Sequence, residues 1–429
     1  MRVVHIVPGS GGGFYCQNCV RDVGLVRALH AAGLDVLFMP MYLPFAEMAD
    51  GRVPQTPVFY GAVNVYLEQK LPLYRRLPPS WRQCLDSPRI LRWAASKAGT
   101  TQAAGLGDLT LSVLEGRDGR QRAELDQMLA WLKQQPRTDI VHLSNALLLG
   151  LAPALRAQLG ARIVCTLQDE DTWLDALPSP WRERCWEQIR ILAGSVDRFI
   201  PVSATYAASM QTRLAMPDSQ SRVIAPGVDT AVFHPAVSPP PVPTIGFLSE
   251  LTADYGLDTL VEAFIILRRQ PALEQLRLRV TGSRLELKNP FLARLMERLA
   301  AVDQGAAVDF TEDFRDDAHR CRFLQSLSVL SVPARRPEAF GLFLIEAMAC
   351  GVPVVQPRIG GYPEVVGATG GGVIYDDASP QGLADALTPL LTDSAQAARY
   401  GQAGRDAVVA RYSQAGTAAH IAEVYGELG

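Results

Sequence analysis

The chain of 429 residues lacks a surplus of charge of either sign: 41 Lys and Arg stand against 44 Asp and Glu, a formal net charge of -3. Bulk attraction to nucleic acid is therefore not expected. Local basic pairs, Arg75-Arg76 and Arg335-Arg336, read as solvated faces or as a membrane-facing patch. No apolar run approaches the ~18 residues that a spanning helix needs. The opening MRVVHIVPG is too short, and too soon ended by Pro8-Gly9, for the apolar segment of a signal peptide, and it reads as a first strand. A disulfide framework is missing too. The seven cysteines are odd in number and scattered (16, 19, 84, 165, 185, 321, 350), which points to reduced thiols and a cytoplasmic location. The basic, Trp-bearing stretch around 74–97 leaves peripheral association with the inner face of a membrane open.

What the chain does have is size and pattern. Its length exceeds one ordinary core, so two domains are expected, and 48% hydrophobic with 20% charged residues places it among globular chains. RVVHIV (2–7), a helical spacing of apolar residues from Cys19 to Ala32, and LDVLFMP after Gly33 form a βαβ unit, the building block of parallel sheets. Residues 60–125 read as helices and loops inserted into this domain, and 125–135 as a helix. Strands are expected in TDIVHLS (138–144), ARIVCTLQD (161–169), DRFIPVS (197–203) and SRVIAPGVD (221–229). Five prolines within 235–243 make a stiff connector. The expected division is an N-terminal domain over 1–234, a hinge over 235–243 and a C-terminal domain over 244–412. A last helix, 413–429, would pack back on the first domain. TIGFLSE, LRLRVTG, AAVDFTE, LSVLSVP, GVPVVQP and GGVIYDD continue the strand–helix alternation. The fold class is α/β, two doubly wound Rossmann-like domains with a ligand at the carboxyl ends of the strands.

The segment 331–355, SVPARRPEAFGLFLIEAMACGVPVV, carries the chemistry. A strand ends in a basic loop holding Glu338, and a helix is expected from about Phe340-Gly341 to Gly351. Backbone N–H groups at its first turn suit a phosphate. Glu346 lies eight residues beyond Glu338, well inside the helix. An ionised carboxylate can accept from two neighbouring hydroxyls. Two of them flanking a phosphate site fit a ribose, a diphosphate and a hexose in series, the layout of a nucleotide sugar. As isolated residues, both glutamates would read as solvated charges.

PEAFGLFLIEAMACGVPVVQPRIGGYPEVV resembles the signature of retaining glycosyltransferase family 4, with its E-x7-E frame and a Gly-Gly-x-Pro-Glu turn, here 360–364. Fainter likeness covers most of the chain: the opening Gly-rich turn, FIPVSA (199–204), VIAPGVDTAVFHP (223–235) and GLDTLVEAF (256–264). The resemblance implies the GT-B fold and transfer of a hexose, with retention, from a UDP- or GDP-sugar. It implies no obligatory metal or other cofactor. Glu338 would accept hydrogen bonds from the donor sugar, and Phe340, Gly341 and Leu342 would line the sugar–phosphate turn. Glu346 would hold the ribose. Gly12 and Gly13, in the run Gly11–Gly13, would approach the donor phosphates across the cleft. A purely structural turn is the alternative for that run.

The chain departs from the family pattern where an Arg and a Lys usually meet the leaving diphosphate: Glu250 and Tyr255 stand there. Arg284, Lys288 and Arg335, with Arg336, are the candidate replacement cations, a salt bridge being the alternative for the 335–336 pair. The departure keeps a second function open, a sugar-nucleotide-binding protein without catalysis that partners an active transferase. Gln168 occupies the place of a histidine that contacts the donor sugar in many members, and Pro226 that of a common asparagine. On the acceptor side His142, Gln168 and Asp169 are the candidates. His142 reads equally as a core histidine, and Asp169 with its acidic neighbours as a solvated loop. Cys16-x-x-Cys19 has no second Cys pair, so packing or loop shaping outweighs a metal or redox role. The expected partners are the nucleotide-sugar donor and a carbohydrate, lipid or small-molecule acceptor.

Overall fold

The computed structural model describes residues 1–9, 15–42, 56–60, 105–283, 285, 289–314 and 316–429. The loop at Gly11–Gly13, the 74–97 stretch, Arg284 and Lys288 lie outside them. Two compact units are present: Met1–Ala225 with Thr417–Gly429, and Pro226–Gly416.

The first unit is built on β1 (Arg2–Val7), α1 (Gln17–Ala31), β2 (Asp35–Pro40), α2 (Gly107–Leu114), α3 (Arg122–Lys133), β3 (Ile140–Leu143), α4 (Ala152–Leu159), β4 (Arg162–Leu167), α5 (Glu170–Asp175), α6 (Trp181–Leu192), β5 (Arg198–Pro201) and α7 (Ala204–Leu214). Its five described strands are parallel in the order β2-β1-β3-β4-β5. Parallel strands are buried on both faces and read as unbroken apolar runs. RVVHIV does so, with Val3, Val4, Ile6 and Val7 fully buried. Order reverses between β1 and β3, and that switch point opens at the carboxyl ends of both strands.

The expected strand at 221–229 is not a full strand. Arg222 and Ile224 donate backbone bonds to Phe199 and Pro201, leaving a single bridge, Phe199 with Ser221. Pro226 then removes a donor, so the segment runs beside β5 without extending the ladder.

The second unit holds β6 (Thr244–Leu248), α8 (Leu257–Leu267), β7 (Arg277–Thr281), α9 (Pro290–Ala300), β8 (Val308–Phe310), α10 (Asp317–Gln325), β9 (Val329–Leu330), α11 (Leu342–Ala349), β10 (Val354–Pro357), α12 (Tyr362–Thr369), β11 (Gly372–Tyr375), α13 (Pro380–Thr392) and α14 (Ser394–Arg411). The six described strands are parallel, in the order β11-β10-β9-β6-β7-β8. Counted within the unit this is the order 3-2-1-4-5-6, with its switch point between β6 and β9. Ser379 caps α13 through the Gly382 N–H, and Pro380 occupies the first turn. The last helix, α15 (Gln414–Leu428), sends Ala418, Ile421, Val424 and Tyr425 into the core of the first unit beside Val3, Val26 and Val36. Among the described residues no helix is long and apolar enough to cross a membrane.

Candidate functional site

At the switch point of the second sheet, two loops leave neighbouring strands: 249–256 after β6 and 331–341 after β9. Glu338 sits in the second loop, only 7% exposed, and Glu346 on α11, 1% exposed. Neither is a solvated charge. A buried carboxylate needs partners, and each of these two draws one from a more distant segment of the chain.

For Glu338 the partner comes from the 360–364 turn. Gly360 has φ +52, and a Cβ there would meet the Glu338 carbonyl oxygen at 2.4 Å. That close approach needs glycine. It lets the Gly361 N–H bond the Glu338 carbonyl at 2.8 Å. The next residue, Tyr362, is fully buried and donates its hydroxyl to Glu338 Oε2 at 2.8 Å. The turn thus holds the Glu338 backbone and carboxylate together. Gly341, the N-cap of α11, has φ +86 and lies under the same tyrosine, where an added Cβ would be 2.8 Å from the ring. As a glycine, this N-cap residue has no side chain with which to cap α11. Its first turn, Leu342–Leu344, follows directly on the buried Phe340, whose ring packs 6.0 Å from that of Tyr412.

For Glu346 the partner is Arg320 on α10. Arg320 Nε donates to Glu346 Oε1 at 3.1 Å, both side chains being almost wholly enclosed (2% and 1% exposed). This arginine was not among the candidates of the sequence reading. Its site is an ordinary-looking HRCRF, and the contact spans 26 residues.

Arg335 is committed on the surface of the unit. Its guanidinium reaches Asp258 at 2.8 Å, Thr259 Oγ1 at 3.1 Å and the Ala253 carbonyl at 3.0 Å, and Arg336 pairs with Asp254 at 3.4 Å. The pair ties the β9 loop to the β6 loop. In that β6 loop Glu250 is raised to about 7, first by burial and then by neighbouring Asp254.

In the first unit, His142 is fully buried in the β3 core. Its Nδ1 meets the Tyr425 hydroxyl at 2.7 Å and its Nε2 the Thr166 hydroxyl at 2.8 Å. Burial, with His5 and Arg21 nearby, holds the imidazole neutral. Both ring nitrogens are thus engaged inside the fold. Gln168 is buried at the end of β4 and donates from Nε2 to the Ser144 carbonyl at 2.8 Å. Asp169 takes a left-handed conformation, φ 54, immediately before α5.

Glu170 is raised to about 7 by burial, although the Ala146 N–H, the Gln168 N–H and the Tyr206 hydroxyl all point at it. Tyr206 lies within reach of both Glu170 (2.7 Å) and Asp171 (2.9 Å) but has one proton to give. A protonated Glu170 completes that chain by donating to the tyrosine oxygen. Close by, four buried atoms have no hydrogen-bond partner among the described residues: Ser144 Oγ, Gln168 Oε1, and Nε and Nη1 of Arg21. The remaining Arg21 nitrogen, Nη2, contacts Asp22 and, at 3.4 Å, the Ser144 carbonyl. Cys16 caps α1, its sulfur accepting from the Cys19 N–H at 3.4 Å.

Residues 232–407 match the family described as glycosyl transferases group 1, and residues 110–232 match Glycosyltransferase Family 4. The chain is 30% identical over 296 residues to a GDP-mannose-dependent alpha-(1-6)-phosphatidylinositol monomannoside mannosyltransferase of Mycobacterium tuberculosis. That match covers 64% of this chain and 71% of the relative. It is 26% identical over 389 residues to an alpha-maltose-1-phosphate synthase of Mycolicibacterium smegmatis, covering 86% and 96%. Among solved structures, sucrose-phosphate synthase from Thermosynechococcus elongatus is similar with a TM-score of 0.71 at 18% identity, over 100% of this chain and 99% of that one. Anabaena HepE in complex with UDP and glucose follows with 0.68 at 15%, over 99% of both chains. At such identities the two structures speak for the fold, which is GT-B.

Proposed function

The chain belongs to the glycosyl transferases group 1 and is a glycosyltransferase; from that premise we propose that it transfers a hexose, with retention of configuration, from a nucleoside diphosphate sugar to a hydroxyl-bearing acceptor. The observation that carries the reading is the pair of enclosed carboxylates around the amino end of α11, Glu338 fastened by Tyr362 and Glu346 by Arg320. In this reading the diphosphate lies at the first turn of α11, where backbone N–H groups and the helix dipole favour negative charge as the leaving group departs. Phe340, Gly341 and Leu342 line the sugar–phosphate turn. Glu338 accepts from hydroxyls of the transferred sugar and Glu346 from the ribose. The acceptor hydroxyl attacks the anomeric carbon on the face that the diphosphate leaves, which preserves the configuration.

The mycobacterial relative is named for GDP-mannose and the Anabaena structure holds UDP, so either base is a reasonable probe for this chain. Arg284 and Lys288 are retained as proposed phosphate cations; Arg335 could join them only by leaving Asp258. On the acceptor side, Ser144 and Gln168 supply oxygens, and Arg21 donors, that have no partner among the described residues, a set suited to hydroxyls that both donate and accept. A carbohydrate, or a lipid or small molecule bearing hydroxyls, satisfies it. His142 has no role at the acceptor in this reading, and Asp169 adjoins it.

The test combines calorimetry with UDP- and GDP-sugars, an assay for nucleotide release, and the anomeric configuration of the product. Glu338→Ala is expected to abolish transfer while leaving nucleotide binding, and Glu346→Ala to weaken donor binding chiefly. Normal turnover by the Glu338 variant would overturn the assignment.

A further inference from the structure

Arg320 stands out among the buried charges of the second unit because its guanidinium is anchored on three sides. Nε donates to Glu346 Oε1 on α11 at 3.1 Å, Nη1 to the Phe314 carbonyl at 3.3 Å, and Nη2 to Asp317 Oδ1, one turn earlier on α10, at 2.5 Å. The plane lies over the ring of Phe233, 5.7 Å from its centroid. Only 2% of the side chain is exposed. We propose that Arg320 is a positioning residue for the donor nucleotide: it fixes the carboxylate of Glu346 in the orientation that receives the ribose hydroxyls. The inference rests on the reading of Glu346 given above.

An enclosed ion pair is a poor way to hold helices together, because apolar residues of similar volume do it as well or better once desolvation is counted. Its distinctive product is geometry. A guanidinium is a rigid planar fork, and one tethered on three sides cannot swing. The single Nε–H it directs at Oε1 therefore sets where the remaining lone pairs of the carboxylate point. A carboxylate has about four such acceptor positions, and the Arg320 bond takes one of them on Oε1. A lysine would keep the charge but not the fork.

The test is a double-mutant cycle on nucleotide affinity, read by calorimetry with UDP and GDP and with their 2′-deoxy and 3′-deoxy forms. Arg320→Gln is expected to weaken binding of the preferred ribonucleotide about tenfold. It should also shrink the preference for ribo over deoxy forms, a readout that general loosening of the fold would not change selectively. Arg320→Lys, the variant to use should Arg320→Gln not fold, should fall between the two. In a Glu346→Gln background, replacing Arg320 should add no further loss. Unchanged affinity and unchanged ribo-over-deoxy preference in the Arg320 variants, with Glu346→Gln still impaired, overturns the inference. So does full additivity of the two losses. If Glu346→Gln itself binds like the wild type, or the wild type binds neither nucleotide, the underlying reading of Glu346 fails instead.

Discussion

Replacing Tyr362 by Phe removes one hydroxyl and almost nothing else. The ring is fully buried, stands 5.8 Å from Phe343 in an edge-on contact, and lies against Gly341. Phenylalanine keeps all of that, so no cavity term arises. What is lost is the 2.8 Å bond to Glu338 Oε2. A buried hydrogen bond to a charged partner contributes roughly 1.5–3 kcal/mol, and each ~1.4 kcal/mol is a factor of ten in rate. If Glu338 must be held in one orientation for the transfer step, kcat should fall between about tenfold and about 150-fold. Binding of the nucleoside diphosphate alone should stay near the wild-type value, because Glu338 is assigned to the sugar and not to the ribose. Denaturant unfolding should register a loss of similar size in free energy. The assay is steady-state turnover with a nucleotide sugar beside calorimetry with the free nucleotide. Wild-type kcat with undiminished stability would refute the claim that Tyr362 holds Glu338. A loss of nucleotide affinity equal to the loss of kcat would refute the division of roles between the two glutamates.

Two further outcomes follow from the same loops. Gly360→Ala places a Cβ 2.4 Å from the Glu338 carbonyl oxygen at a φ of +52; the turn must shift, so both stability and turnover should fall, by more than Tyr362→Phe lowers them, in parallel denaturation and rate measurements. Glu250 has a folded value of about 7, raised by burial and by Asp254, against an ordinary value of 4.5. The native state therefore holds an extra proton between about pH 4.5 and about pH 7, the stability contribution falls as pH rises across that window, and it is flat above it. Affinity for a nucleotide sugar, whose diphosphate charge is constant near neutrality, should likewise drop as pH climbs through about 7 and the Glu250 carboxylate becomes anionic. Glu250→Gln should flatten both profiles, and retention of the wild-type slopes by that variant would exclude Glu250 as their source.

The sheets were legible because a parallel strand enclosed on both faces has to be apolar throughout, and RVVHIV, LDVLFMP and GVPVVQP are. SRVIAPGVD has similar composition but lies at an edge, where Pro226 halts pairing, and composition alone does not distinguish edge from interior. α14, 18 residues long, carries a faint signal for the opposite reason: its buried residues are Gly401, Gly404 and Val408, packed through close approach of small residues and not through a leucine stripe. His142 was visible as a polar residue in an apolar strand. Its partner Tyr425, 283 residues away, was not.

The same contrast between local and distant information explains what the signature at 338–346 can and cannot do. The spacing of the two glutamates around a helix start is a local fact and is readable from the chain. Their orientation is not local, since the residues that secure them lie 24 and 26 positions away, Tyr362 downstream and Arg320 upstream. Those distances are about one strand–helix unit of the doubly wound sheet, so each carboxylate is steadied by the helix of an adjacent unit: α12 for Glu338, α10 for Glu346. A segment carrying only E-x7-E would leave two carboxylates free to turn into water and hydrogen-bond there. Enclosed at the carboxyl ends of β9 and its neighbours, with Tyr362 donating to one and Arg320 to the other, they become acceptors of defined direction. The proposed transfer with retention needs that definition, because nucleophile and leaving group would share one face of the sugar. On the proposed reading the functional unit is therefore the run from α10 to α12, Asp317 to Thr369, and not Glu338 to Glu346 alone.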